Sequence, residues 1–474
     1  MNNFKKNALR VIALVLAMAT LSLSLCSCGK KISEIDVITT DHYSVTAGML
    51  TYSLYDSYYY YVNYFGSEMM LLYFGIDTSV SLKKQFSDPA TGKTWFDVFK
   101  TDALDGFCNS LALCEAAYRA GVTLNEIDHK FIQSELDEIE TMGAKEGKTL
   151  AEYIEYIYTE GVTVDDVKKS LEIYRLANKM RYYDYNKTDV SESEINADLK
   201  KNGDKYLIRD FIVLELVLSN ETEKNTVIKE YAEKLKNAAN EEEFRKIAEE
   251  FIDSEYCVDS KKDDSDEKND KTVISQTVQN DFDEEKITDV DKWMFYADTK
   301  KGDTYMLEGK TSYAVYMAMN EAAMDTSETR NIYTMLFSED IYGSDMKAKA
   351  EEIYNQWKNG GESIDSFKTL ASTYTTDYAS ASKGGYYANV MKEDLVDELD
   401  KWLYAEERKE GDSALIKTGY GYHIIVYAGT GEPAWKVPII ETIKDTKVTA
   451  QMQGYTELYP PTVIQGNLKY VTGK

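Results

Sequence analysis

Histidine, cysteine and proline are scarce in this 474-residue chain, which holds three, five and five of them. No Cys-x-x-Cys pair and no Cys/His cluster occurs, so no metal site is expected, and no cofactor either. Cys108 and Cys114 stand on different faces of a helical pattern, which argues against a disulfide between them. Positive charge is the minority sign: 54 Lys and Arg face 82 Asp and Glu, for a formal charge of -28. A surface of that sign favours solubility and repels nucleic acid and anionic lipid, so no nucleic-acid partner is expected. Long hydrophobic runs are missing except at residues 11–25, and that run falls short of the roughly 20 apolar residues that span a bilayer.

That short run carries meaning through its flanks. Lys5, Lys6 and Arg10 precede it and small residues follow, the pattern of a secretory signal. Its end, Leu25-Cys26-Ser27-Cys28-Gly29, resembles the bacterial lipobox. Cys26 fits less well, because Leu25 rather than a small residue precedes it. The resemblance implies removal of residues 1–27 and lipidation of Cys28, leaving an extracytoplasmic protein anchored to a bacterial membrane. A single acyl chain binds only marginally, so anchoring needs the several chains this modification supplies. The alternative is an uncleaved anchor helix with incidental cysteines.

Hydrophobic residues make up 43% of the chain and aromatics 12%, enough for real cores, and the length suggests two to four domains. The 38 tyrosines have no functional account beyond core and groove packing. Residues 43–187 read as helical, with aromatic-rich spacing over 44–65 and further helical spacing at 125–142 and 165–179. Thr94-Trp95-Phe96-Asp97 leads into one helix; Gly121-Val122-Thr123 and Gly161-Val162-Thr163 read as stops followed by caps. His129, among Asp128, Lys130 and Glu135, reads as a solvated histidine. Ser191-Glu192-Ser193-Glu194 is a capping box, residues 206–218 read as a strand, and 222–251 as a charged helix pair. Residues 253–291, acidic and low in complexity, predict an insertion or long loop.

An internal repeat follows. Lys292-Trp293-Met294-Phe295, Lys301-Gly302-Asp303 and Tyr313-Ala314-Val315-Tyr316 return as Lys401-Trp402-Leu403-Tyr404, Glu410-Gly411-Asp412 and Tyr422-His423-Ile424-Ile425. All three pairs share one offset. Two copies of a domain of about a hundred residues explain it most simply.

The second copy resembles the parvulin-type peptidyl-prolyl isomerase domain. The resemblance rests on Tyr333-Thr334-Met335-Leu336-Phe337, Phe367-Lys368-Thr369-Leu370-Ala371, Thr376-Asp377, Gly384-Gly385, and Thr418-Gly419-Tyr420-Gly421-Tyr422-His423-Ile424-Ile425. The helical region before it is similar to the chaperone domain of SurA/PrsA-like exported foldases. The resemblance implies an α+β protein. Residues 28–200 would form a helical chaperone-like domain. A degenerate parvulin-like repeat would follow at 205–320, with its acidic insertion at about 253–291. An isomerase domain at 327–432 and a C-terminal tail at 433–474 would complete it, the tail packing back on the helical domain. It implies His423 as the second family histidine, Thr418 as the hydroxyl beside it and Asp377 as the acidic position. Thr334 occupies the place of the first family histidine. Tyr387, Leu395 and Leu399 would line the proline pocket, with Tyr378 at the alternative cysteine position. In copy one Ala314 replaces the histidine and the glycine pair is absent, so that copy is expected to be inactive.

Each site residue has a plainer alternative. His423 fits a hydrogen-bonded core position on a strand, Asp377 a turn carboxylate, and Gly384-Gly385 a positive-φ turn. Three functions follow from the resemblance: an isomerase and foldase for unfolded or newly exported polypeptides, a catalytically silent holdase, or a structural envelope lipoprotein. The lipobox is tested first by mass spectrometry. The parent is expected to carry an acylated Cys28 at its N-terminus, and Cys28→Ala to shift into the soluble fraction. An uncleaved, unacylated parent would sink that reading.

Overall fold

The computed structural model describes residues 31–257, 274–279 and 287–473. Cys28 and the segment before it lie outside the described residues, as does much of the acidic stretch. Two short strands, β1 (Asp36–Thr39) and β2 (Ser44–Thr46), open the helical unit. Six helices follow: α1 (Ala47–Phe74), α2 (Trp95–Ala120), α3 (Glu126–Lys145), α4 (Leu150–Ile157), α5 (Val164–Lys187) and α6 (Glu192–Asn202). The helical reading of residues 43–187 is corrected at its start and at Phe86–Asp88 and Lys93–Thr94, two short strands paired with each other. Ser44–Thr46 is extended, and the helix runs on to Phe74 across a break at Gly66, whose φ is 77°.

Local chemistry explains most helix starts. Thr94, Thr149, Thr163 and Ser191 each accept a backbone N–H with their hydroxyl, while an acid three residues on reaches back. Removing one such cap costs about 1 kcal/mol. The cap expected at Thr123 falls instead on Asn125, paired with Asp128. Both spacings satisfy the capping rule, and the choice follows the tertiary fold: Asp128 is also held by Arg175 and Lys179 of α5. Leu50, Leu54, Phe107, Leu111 and Val167 meet in the core shared by α1, α2 and α5. Cys108 and Cys114 are free thiols.

Next comes β3 (Leu207–Val217), then α7 (Thr222–Lys236), α8 (Glu241–Ile252), β4 (Ile274–Gln279), a short helical turn over residues 289–296, β5 (Thr304–Glu308) and β6 (Ser312–Ala318). The loop reading of 253–291 fails over 274–279. That segment pairs antiparallel with β3, Ile212 opposite Ser275, because β-branched residue types inside the acidic stretch meet an open strand edge. The second sheet repeats the plan: β7 (Glu328–Phe337), α9 (Met346–Asn359), α10 (Ile364–Tyr374), β8 (Tyr386–Val390), α11 (Asp397–Leu403), β9 (Ser413–Thr418) and β10 (Gly421–Pro433). The strand orders match, β4-β3-β6-β5 in one sheet and β8-β7-β10-β9 in the other. In the second sheet Met335, Phe337, Ile424 and Val426 bury one face under Trp357 and Phe367. Ile332, Ile425 and Tyr427 bury the other against Leu399 and Leu403.

The chain then returns. Helix α12 (Lys436–Leu458) packs across α2, α5 and α6. Strand β11 (Thr462–Val463) pairs with β1, Val463 opposite Ile38. The helical unit is thus built from both ends of the chain, with the two sheets between. Deleting residues 459–474 should uncover the β1 edge and lower the melting temperature of the helical unit by about 4–8 °C, equivalent to about 2 kcal/mol. The Trp357 environment should keep its own transition in the same scan.

Candidate active site

The site begins with strand register. Leu336 lies opposite His423, Thr334 opposite Ile425, and Ile332 opposite Tyr427. Ile416 of β9 flanks His423 on its other side. Alternation along the strands therefore places Thr334, Leu336, His423 and Ile416 on the face that carries α11, away from Trp357. His423 is buried, and its Nε2 lies 3.1 Å from the Thr418 hydroxyl oxygen. That oxygen also accepts the Tyr420 N–H at 3.1 Å. Burial pushes the imidazole down to about 4, while the carboxylates of Asp377 and Glu398 pull partly the other way. The ring is neutral at pH 7.

The segment after α10 brings the acid to this face. Thr376 donates its backbone N–H to the Leu336 carbonyl at 2.8 Å, and the Leu336 N–H donates to the Thr375 hydroxyl at 3.0 Å. Asp377 then caps a single helical turn, accepting from the Ala379 N–H at 3.3 Å and from the Ser380 hydroxyl. Its Oδ2 also accepts the Tyr387 hydroxyl at 2.8 Å. Burial, and then the Asp377 carboxylate, hold the Tyr387 phenol well above its usual range, so it remains a donor.

Gly384 and Gly385 both take positive φ, 66° and 83°. A Cβ on Gly385 would lie 2.2 Å from the Thr334 carbonyl oxygen, so no other residue fits there. That close approach lets the Thr334 N–H donate to the Gly385 carbonyl at 2.7 Å. The Thr334 side chain is buried, and its hydroxyl oxygen has no hydrogen-bond partner among the described residues. Leaving such a group unpaired costs about 1–3 kcal/mol.

His423, Thr418, Asp377 and Tyr387 thus share one neighbourhood, and Thr334 faces the same side of the sheet. Leu399 belongs to the core beneath, while Tyr387 and Leu395 pack at its half-buried margin. Tyr378 does not join them: it leaves this face, and its hydroxyl donates to the Arg175 carbonyl of α5 at 2.6 Å. Sequence reasoning missed Thr375, whose partner Leu336 lies on a strand distant in sequence, and the bonds that the Ser380 and Tyr387 hydroxyls donate to Asp377. In the first sheet Ala314 lies opposite Glu215, and a cavity of about 290 Å³ opens between Val213, Leu307, Ala314 and Tyr316. No imidazole enters it. Among the described residues no cluster of His, Cys, Asp and Glu could hold a metal ion.

Residues 339–428 match the rotamase family model, a PPIC-type PPIASE domain. The matched segment takes in β8, β9, most of β10 and helices α9, α10 and α11, and begins just after β7. Foldase protein PrsA 1 of Listeria monocytogenes is 34% identical over 110 residues, 22% of this chain and 36% of that protein. Foldase protein PrsA 2 of the same species is 36% identical over 110 residues, with the same shares. The chain therefore spans about a third of the length of the curated relatives it matches. Among solved structures, PrsA from Bacillus subtilis aligns over 77% of this chain and 88% of its own, at 16% identity and TM-score 0.24. A SurA-like chaperone of Campylobacter jejuni aligns over 69% and 94%, at 13% identity and TM-score 0.18.

The buried imidazole makes an acid-sensitive prediction. Its folded value lies below the ordinary 6.5, so the unfolded chain binds the proton first as pH falls. Stability from this group should be complete above about 6.5 and be lost between about 6.5 and 4. His423→Asn should remove that part of the acid slope in urea unfolding. With three histidines in the chain, the His423 ring signals are directly assignable by NMR, and a midpoint near 6.5 would contradict its burial.

Proposed function

We propose that this chain is an exported foldase whose second sheet unit catalyses cis–trans isomerisation of X-Pro peptide bonds. Within it, residues 327–432 form the isomerase domain, 205–320 a degenerate copy, and 28–200 with the C-terminal tail a chaperone-like unit. Its substrates are unfolded or newly exported polypeptides, and Cys28 anchors it by lipid to a bacterial membrane outside the cytoplasm. The observation that carries the reading is the neutral His423–Thr418 pair, set beside the Asp377–Tyr387 hydrogen bond inside the segment matched by the rotamase family.

The chemistry needs no covalent step. Amide resonance sets a barrier of about 18–20 kcal/mol, and uncatalysed X-Pro exchange takes roughly tens to hundreds of seconds. The protein gains rate only by binding the twisted amide better than the planar one. A ten-thousandfold gain needs about 5.5 kcal/mol of such preference. Tyr387 and Leu395 form the apolar margin on which a prolyl ring would rest. A twisted amide carries more charge on its nitrogen and a less conjugated carbonyl. The His423 ring, the Thr418 and Thr334 hydroxyls and the Asp377 carboxylate are the polar groups that could tell it from the planar form. Asp377 keeps Tyr387 oriented, and burial keeps His423 neutral at pH 7.

A second reading, holdase activity without catalysis, is favoured by one specific surface. The far end of α1 exposes Tyr60, Tyr64, Leu72 and Tyr73, with Leu72 at 73% of its full accessibility. Clusters of exposed apolar side chains of this kind mark interaction sites. Proline-limited refolding of a client protein separates the two. The chain from Gly29 onward is expected to speed the slow phase, and His423→Ala and Asp377→Ala to lose about tenfold or more of that gain while staying folded. An unchanged slow phase together with suppressed aggregation would replace the isomerase by the holdase.

A further inference from the structure

The residue directly after Asp377 points out of the site. Tyr378 crosses to the helical unit, where its ring centroid lies 4.3 Å from the Arg175 guanidinium and its hydroxyl donates to the Arg175 carbonyl at 2.6 Å. The same guanidinium lies 4.1 Å from the Phe131 ring of α3, and Tyr182 meets Tyr378 edge-on at 5.5 Å. Arg175 has little freedom. Its Nε donates to Asp128 Oδ1 at 3.0 Å, and the other oxygen of that buried carboxylate takes Lys179. Two further bonds bracket the turn. Asn125 Nδ2 donates to the Ser372 carbonyl at 3.3 Å, and Asn186 Nδ2 to the Ser382 hydroxyl at 2.6 Å.

The Asp377 turn is therefore gripped from two directions. Thr375 and Thr376 tie it to β7, and α3 and α5 hold its outer side through Tyr378. A planar guanidinium fixed by a carboxylate is a rigid platform for an aromatic ring, which a lysine's point charge is not. A carboxylate that must discriminate two forms of an amide gains from being held still, because a small displacement costs rate.

We infer that Arg175 and Tyr378 are positioning residues, and that the helical unit completes the isomerase site by clamping the Asp377 turn. The inference rests on the isomerase reading above. Neither residue touches the His423 face. Docking of the two units and competence of the site then become one event. The clamp acts chiefly on the rotation step and reaches the apolar margin only through the Asp377–Tyr387 bond, while Leu395 stays in place.

The test uses the chain from Gly29 onward with a short proline peptide as substrate. Arg175→Ala and Tyr378→Ala should each lower kcat about tenfold while KM changes less than about twofold. Lys179 still neutralises Asp128 in the first variant, which protects the fold, and far-UV circular dichroism checks it. Tyr378→Phe keeps the ring on Arg175 and should recover most of the rate. The double alanine variant should be no slower than either single, because both cut the same link. A parental kcat in Arg175→Ala, or a double loss equal to the product of the singles, would overturn the clamp. Should the parent itself be inactive, the isomerase reading fails alone. Amide exchange over 376–382 then decides the clamp: faster exchange in Arg175→Ala supports it, and unchanged exchange refutes it.

Discussion

The antiparallel ladder between β7 and β10 is the constraint on which the rest depends. Its register sets Leu336 against His423 and Thr334 against Ile425. Side chains alternate along a strand, so a slip of one residue would send His423 into the Trp357 layer and turn Ile424 toward the site. Burial on both faces resists that slip, since Met335, Phe337 and Ile424 fill one side and Ile332 and Ile425 the other. The same strand β7 also receives Gly385 and Thr376 through its backbone. Imidazole, glycine pair and acid are thus gathered on one strand by main-chain bonds, before any of their side chains meet.

One architecture carries two different contents. Both sheets share a strand order, with two helices after the first strand, and each buries a Phe from the second of those helices, Phe244 in α8 and Phe367 in α10. At the position that faces the site, one sheet has Ala314 opposite Glu215 and the other His423 opposite Leu336. Packing on the helical side tolerates this divergence because it draws on the opposite set of side chains. A sheet with two independent faces can keep its fold on one and lose or acquire chemistry on the other.

Much of this was legible in the chain. Hydroxyl-x-x-acid spacings marked Thr94, Thr163 and Ser191 as helix starts, because the bonds they make are local. The Trp and Gly-Asp landmarks revealed the repeat, since core positions and turns leave periodic traces. His423, Thr418, Asp377 and the glycine pair could be named from the ordered motif. Other features had no local trace. The strand at 274–279 was hidden by acidic composition, because a ladder needs a partner edge that lies far away in sequence. The choice of Asn125 over Thr123 depended on Asp128 meeting α5.

The amino-acid order by itself determined the main helical and sheet regions, the repeated landmarks and the minority of positive charge, all of which rest on spacing and composition, and the ordered motif nominated candidate site residues. Only the tertiary structure decided which of those residues meet. Leu399 belongs to the core rather than the site margin, Tyr387 is a hydrogen-bond donor to Asp377, and Tyr378 belongs to the helical unit. The C-terminal strand closes on β1 at the other end of the chain. The reason is range: caps and periodicity act over three or four residues, whereas a carboxylate's partners and a strand's edge are chosen by whatever the whole fold brings within hydrogen-bond distance.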